Sequence, residues 1–85
     1  MKVLITNRGA KELDKIPDPL AKKISKEIQK LEKNPFPRNS KKLQGRDNYR
    51  LRVGSFRVIY SFNKKAKEIT VLRVANRKTV YSNFP

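Results

Sequence analysis

The chain has 85 residues and a formal net charge of +15, from 22 Lys and Arg against seven Asp and Glu. A basic excess of this size predicts a polyanionic partner, which is nucleic acid, an acidic protein or an anionic membrane. A membrane is the weakest of these candidates, since no apolar stretch is long enough to span or anchor. The sequence contains no Cys and no His, which excludes disulfides and thiolate metal sites and removes the commonest metal ligand. We therefore expect neither a metal nor another cofactor.

A chain of this length is expected to form one small domain over residues 1–85, with a modest core. Its charge is uneven, because residues 1–33 carry a net charge of +4 and residues 34–85 carry +11. The first apolar run is short and is followed by Thr6-Asn7-Arg8, so no signal peptide is expected. The sequence thus predicts a cytoplasmic protein whose basic excess lies mainly in residues 34–85.

The first 33 residues predict one strand and two helices. The stretch 2–5 is a short apolar strand, and Thr6 or Asn7 is the expected N-cap of the helix that follows. After a break at residues 16–19, Asp18 is the expected cap of a second helix, with Pro19 at its first position. Each helix has one apolar stripe, and we expect both stripes to pack against a sheet. The stripes are Ala10, Leu13 and Ile16, then Leu20, Ile24, Ile28 and Leu31.

The stretch 49–60 predicts a β-hairpin. Apolar residues alternate with other residues in both halves, so each set lies on its own face of the sheet. Gly54-Ser55 suits a two-residue turn, because Gly accepts a positive φ without steric cost. One face is then apolar, and the other carries Arg50, Arg52 and Arg57 close together. Three neighbouring guanidinium groups repel one another and require an anion, so this face is the candidate functional surface.

The rest of the chain completes the sheet. Residues 34–48 predict a basic connector anchored to the core by Leu43, and residues 68–74 predict a strand buried on both faces, which is typical of a central strand. Residues 75–85 form a short tail. The order β-α-α-β-β-β predicts an α+β fold, in which a mainly antiparallel sheet has two N-terminal helices packed on one face and an open basic face.

Four short motifs, together with this order of elements, resemble the RelE/ParE superfamily of toxin–antitoxin toxins. They are Leu43-Gln44-Gly45, Tyr49-Arg50-Leu51-Arg52-Val53-Gly54, Phe56-Arg57-Val58-Ile59-Tyr60 and Asn76-Arg77-Lys78-Thr79-Val80-Tyr81. The resemblance covers nearly the whole chain and is strongest to the RelE branch, whose members cut messenger RNA in the ribosomal A site. It implies a metal-independent endoribonuclease that binds the ribosome and mRNA, an acidic antitoxin as partner, and no small-molecule substrate.

The resemblance also implies roles for individual residues. In RelE-like cleavage the RNA 2′-hydroxyl attacks the adjacent phosphate, which requires a base, an acid and cations for the phosphorane charge. Arg57 and Arg77 are the candidate cations, because a guanidinium matches phosphate geometry and keeps its charge. Many family members have a His where Asn76 stands, and Arg holds its proton too tightly to be a base. Tyr81 is therefore the candidate for acid–base catalysis, with Lys78 second.

The remaining cations of the connector, hairpin and tail are expected to bind RNA; they are Lys41, Lys42, Arg46, Arg50, Arg52 and Lys78. Several alternatives stay open at this point. The Arg face could be a solvated polar surface, Tyr81 could simply pack the tail, and the hairpin aromatic residues suit a core better than a base-stacking platform. A gyrase poison of the ParE type and a non-catalytic RNA- or ribosome-binding relative are the competing functions.

Overall fold

The structure is a computed structural model that describes residues 1–43 and 48–76. The elements in these ranges are β1 (Lys2–Ile5), α1 (Asn7–Asp14), α2 (Leu20–Lys30), β2 (Ser40–Lys42), β3 (Asn48–Val53), β4 (Phe56–Asn63) and β5 (Glu68–Asn76). The five strands form one sheet in the order β1-β5-β4-β3-β2. β1 is parallel to β5, and the other neighbouring strands are antiparallel. The predicted α+β class and mainly antiparallel sheet are confirmed.

Thr6 both starts α1 and attaches it to β5. Its Oγ1 accepts a hydrogen bond from the N–H of Gly9 at 3.0 Å, which makes Thr6 the N-cap. The same hydroxyl donates to the carbonyl of Leu72 at 3.0 Å, and the N–H of Thr6 donates to the carbonyl of Val71 at 2.9 Å. Gly9 allows this close approach, since a Cβ there would lie 3.2 Å from the Val71 carbonyl oxygen. The first turn of α1 is therefore fixed against β5.

The start of α2 differs from the prediction. Pro19 is itself the N-cap and makes no side-chain capping hydrogen bond, so the prediction that Asp18 caps this helix is wrong. The reason is positional, because the helix begins one residue later than expected, at Leu20, and Asp18 is exposed. Neither helix in the described ranges is long and apolar enough to cross a membrane.

The main core lies between the helices and one face of the sheet. Its hairpin members are the residues that alternation predicted, and Gly54 has the positive φ of +60° that the turn requires. The buried cluster is formed by Ile16, Ile24, Ile28 and Leu31 from the helical region, Leu51, Val53, Val58 and Tyr60 from the hairpin, and Ile69, Val71 and Val74 from β5.

A β-bulge explains how β5 supplies both Val71 and Val74 to this core. Strict alternation would place them on opposite faces of the sheet. The pairing of β4 with β5 shifts between Ile59 and Tyr60, which pair with Arg73 and Val71, so Leu72 is an extra residue in β5. β5 is an interior strand as expected from its burial, although β4 occupies the centre of the sheet.

The structure adds a short strand, β2, within the predicted connector. Its three residues have no apolar alternation, and it forms because the segment pairs with β3 and because Ser40 Oγ donates to the Pro37 carbonyl at 2.7 Å. The predicted anchor Leu43 follows directly. It packs against a second, smaller cluster, formed by Ile59, Ala75 and Leu72, on the sheet face opposite the helices.

Candidate nucleic-acid interface

Strand pairing gathers cations from three strands on the sheet face opposite the helices. Arg52 on β3 lies directly across from Arg57 on β4, and Lys41 on β2 lies across from Arg50 on β3. Residues directly opposite one another in antiparallel strands project from the same face. The hairpin cations predicted from the sequence are therefore joined by Lys41.

These side chains line a cavity of about 180 Å³, here called the cationic pocket. Its described lining residues are Arg38, Asn39, Lys41, Arg50, Arg52 and Arg57, and none of them is acidic. Arg57 is the deepest member at 2% exposure, whereas Arg38, Lys41 and Arg52 are exposed. Several fixed positive charges around one buried guanidinium suit a phosphate group, which accepts charge-assisted hydrogen bonds from more than one side.

Asn39 fixes the edge of the pocket. Its Nδ2 donates to the carbonyl of Arg52 at 2.7 Å, and the N–H of Arg52 donates to the carbonyl of Asn39 at 2.9 Å. This pair of bonds attaches the segment before β2 to β3 and brings Arg38 to the pocket. Sequence analysis did not assign Arg38 or Asn39 to the site, because no local pattern shows that their segment pairs with β3.

The structure separates two neighbouring cations that the sequence grouped together. Lys41 lines the cationic pocket, whereas Lys42 pairs with Tyr49 and so lies on the helix-bearing side of the sheet. Four other candidate residues lie outside the described ranges; they are Arg46, Arg77, Lys78 and Tyr81.

Tyr60 is a structural residue rather than an acid–base group. It is buried in the main core, and its hydroxyl donates to the carbonyl of Pro35 at 2.6 Å. Burial raises the pKa of the Tyr60 phenol above its usual value, a hydrogen bond with Ser40 opposes that rise, and neighbouring Tyr49 adds to it. The phenol therefore keeps its proton in the folded protein at neutral pH.

A second buried arginine, Arg73 on β5, is bound to a carboxylate. Its Nη2 donates to Oε2 of Glu12 at 2.8 Å and its Nε to Oε1 at 3.5 Å, while the N–H of Val74 donates to Oε1 at 2.9 Å. Burial by itself would raise the pKa of Glu12, but the hydrogen bonds from Arg73 and Val74 and the charges of Arg73 and Arg8 lower it below its usual value. This ion pair joins α1 to β5.

Comparison with known proteins agrees with this fold. The family model of the ParE toxin of type II toxin–antitoxin systems matches residues 3–81. Toxin RelE3 of Methanocaldococcus jannaschii is 33% identical over 90 aligned residues, which cover 100% of both chains. The chain is thus a toxin of a type II toxin–antitoxin system, and it belongs to the RelE/ParE family.

Two solved structures show the same fold. A chain in the archaeal RelE–RelB complex from Pyrococcus horikoshii OT3 is 35% identical, with a TM-score of 0.81 over 89% of this chain and 93% of that chain. A chain in the RelB–RelE antitoxin–toxin complex from Methanococcus jannaschii is 28% identical, with a TM-score of 0.79 over 96% and 99%. The resemblance predicted from the sequence motifs is confirmed.

Proposed function

We propose that this toxin is a ribosome-dependent endoribonuclease that inhibits translation by cleaving mRNA in the A site. The observation that supports this function best is the cationic pocket, in which arginines from β3 and from the segment before β2 lie around the buried Arg57 of β4. Phosphoryl transfer from RNA passes through a phosphorane whose extra negative charge such a pocket would stabilise. The curated relative that covers the whole chain is also named as a RelE toxin.

In the proposed reaction the 2′-hydroxyl of one nucleotide attacks the adjacent phosphate, the P–O5′ bond breaks, and a 2′,3′-cyclic phosphate forms. Arg57 and Arg77 bind the phosphorane oxygens, while Arg50, Arg52 and Lys41 hold the neighbouring phosphates. Holding the hydroxyl in line with the leaving oxygen supplies a further part of the rate, because a fixed geometry removes the entropic cost of alignment. The remaining RNA-binding candidates Lys42, Arg46 and Lys78 extend the contact.

Tyr81 is the proposed acid–base group, and Lys78 is the second candidate. Replacing Tyr81 with Phe keeps the ring and removes only the hydroxyl group that carries the exchangeable proton. We expect cleavage to fall by about 100-fold or more, the scale of lost general base catalysis, while the free energy of unfolding changes by no more than about 1 kcal/mol. If Tyr81→Phe cleaves RNA at the wild-type rate, Tyr81 is a packing residue and not the acid–base group.

The proposed partner is an acidic, partly disordered antitoxin that folds on binding and covers Arg50, Arg52 and Arg57. Support comes from the net charge of +15 and from the antitoxin–toxin complex of the similar Methanococcus jannaschii protein. Hydrogen exchange of the complex should show protection at the cationic pocket, and affinity should fall with added salt. A footprint confined to residues 1–33 would contradict this masking mechanism.

Primer extension on ribosomes programmed with a defined A-site codon tests the activity. We expect primer extension to stop at new 5′ ends within the A-site codon with the wild-type toxin, and these products to be about 100- to 1,000-fold less abundant with Arg57→Ala. The ParE name of the matching family model supports gyrase inhibition as a second candidate, so a supercoiling assay should be run in parallel. Blocked supercoiling without mRNA cleavage would favour gyrase, and ribosome binding without either activity would favour a non-catalytic relative.

A further inference from the structure

An exposed aromatic ring lies on the sheet side opposite the cationic pocket. Phe36 is the most exposed large apolar side chain in the described ranges, at 48%. Its ring packs edge-on against Phe62, with centroids 5.3 Å apart and an interplanar angle of 90°, and it is tilted by 48° against Tyr49 at 4.9 Å. About half of Phe36 is therefore exposed to solvent, although its ring contacts both Phe62 and Tyr49.

The ring is held in place from several directions. The N–H of Phe36 donates to Oδ1 of Asn34 at 3.1 Å, and the preceding carbonyl, of Pro35, accepts from the Tyr60 hydroxyl at 2.6 Å. Beneath it, Tyr49 stacks on Tyr60 with centroids 5.5 Å apart and an interplanar angle of 21°. A flat apolar surface that is already ordered loses little conformational entropy when a ligand stacks on it.

Cations border this surface. The groove in front of Phe36, here called the aromatic groove, is lined by the rings of Phe36, Tyr49 and Phe62 and by Lys64 and Lys65, which are exposed in the turn between β4 and β5. No acidic residue of the described ranges lines it. Aromatic rings flanked by a positively charged rim are the usual platform for single-stranded nucleic acid, since every base has a π face and every nucleotide a phosphate.

We propose that the aromatic groove binds an unpaired base of single-stranded RNA, which stacks on Phe36 while its adjacent phosphates contact Lys64 and Lys65. This site would extend the RNA contact of the proposed function to the second face of the sheet. The proposal rests on that function only because it takes RNA as the ligand. The β2 edge connects the two faces, because Lys41 lies on the pocket side and Lys42 on the side of Tyr49.

A protein segment is the rival occupant of the groove. A protein anchor is typically an aromatic or aliphatic side chain buried in a well-packed, desolvated pocket. The aromatic groove instead offers an exposed ring beside two lysines, in a chain whose net charge is +15. Stacking plus phosphate contact therefore fits the groove better than insertion of an apolar side chain.

The test compares two oligonucleotides of equal length and charge, a 2′-O-methyl oligoadenylate and its abasic counterpart. The 2′-O-methyl group blocks cleavage, so binding is measured independently of the proposed reaction. We expect Phe36→Leu, which keeps an apolar cover but lacks a π face, to bind the oligoadenylate about 5- to 100-fold more weakly than the wild type. Binding of the abasic strand should be unchanged, and Phe36→Tyr should restore the preference for bases.

Two further variants keep the test decisive. The chain contains three Tyr but no Trp, so Phe36→Trp introduces a single indole that can be excited selectively and that oligoadenylate should quench and the abasic strand should not. The double variant Lys64→Ser with Lys65→Ser should weaken binding of both oligonucleotides equally. The loss should exceed that of Lys22→Ser with Lys23→Ser, which makes the same charge change on the exposed side of α2. Thermal melting of each variant checks that it is folded.

The proposal is overturned if Phe36→Leu keeps the wild-type preference for bases or if oligoadenylate fails to quench Trp at position 36. It is also overturned if Phe36→Leu weakens binding of the antitoxin and leaves RNA binding intact, since the groove would then be a protein surface. If Arg57→Ala loses A-site cleavage and the Trp of Phe36→Trp is quenched as expected, the cationic pocket and the aromatic groove are each supported separately. Quenching without any ribosomal cleavage by the wild type would support the groove and contradict only the proposed function.

Discussion

Within residues 1–43 and 48–76 two arginines are buried, Arg57 and Arg73, which lie on adjacent strands and differ in what surrounds them. Arg73, at 6% exposure, binds the carboxylate of Glu12, so the chain itself supplies the opposite charge. Arg57, at 2% exposure, shares its pocket with Arg38, Lys41, Arg50 and Arg52. Taking a charge out of water is expensive, and gathering like charges adds repulsion. The first arginine therefore joins two elements of the fold, whereas the second lies in a pocket that other cations line.

The largest expected difference between the two arginines is in cleavage. Arg57→Ala should reduce A-site cleavage by about 100- to 1,000-fold, because a preorganised donor to the phosphorane is lost. Arg73→Ala, the matched truncation on the neighbouring strand, should cleave at the wild-type rate at temperatures where it is folded. Single-turnover cleavage on programmed ribosomes measures both. Equal loss of cleavage in the two folded variants would remove the functional distinction between them.

The second expected difference is in stability. Glu12→Ala should lower the free energy of unfolding by roughly 3 kcal/mol, since it removes the carboxylate from a buried guanidinium. Asp14→Ala is the control, because Asp14 is exposed on the same helix and its removal should have a small effect. Urea unfolding followed by circular dichroism gives both values. If the two variants unfold at the same urea concentration, the Glu12–Arg73 pair contributes little.

The same ion pair predicts how stability depends on pH. The pKa of Glu12 is lowered in the folded protein, so the ionised carboxylate favours folding above its ordinary value of 4.5. This stabilisation should be lost as the pH falls through the lowered pKa of the native state. Urea midpoints measured from neutral to acidic pH should therefore fall less steeply in Glu12→Gln than in the wild type. Parallel curves would show that other carboxylates dominate acid unfolding.

The smallest expected effect concerns three cations of the segment before β3, of which Lys41 lines the cationic pocket. Replacing Lys41, Lys42 and Arg46 together with Ser should flatten the dependence of RNA affinity on salt by about 0.7 per lost phosphate contact. The control replaces three exposed lysines of α2, Lys22, Lys23 and Lys26, and changes the net charge equally. Affinity for a 2′-O-methyl RNA at several salt concentrations measures the slope. If the slope stays at the wild-type value, the segment before β3 does not bind RNA phosphates.

The hairpin shows how much of the candidate site could be predicted from local pattern. Alternation over residues 49–60 assigned Leu51 and Val58 to the core and Arg52 and Arg57 to the opposite face, and the pairing of β3 with β4 agrees. That assignment needs only the two-residue period of a strand and a turn at Gly54. Arg38 could not be assigned in the same way, since its place beside Arg57 depends on hydrogen bonds between Asn39 and Arg52.

By itself, the sequence determined the α+β class, the two apolar helix stripes, the hairpin and the sign of charge on its outer face. These properties follow from periodicity, turn residues and composition, all of which act over a few neighbouring residues. Tertiary structure alone decided that Arg73 would bind Glu12, which is 61 residues away, and that β2 would form without an apolar pattern. It also decided how deeply Arg57 is buried and how far Phe36 is exposed. Depth, exposure and ion pairing depend on which distant segments pack together, and no local period encodes that choice.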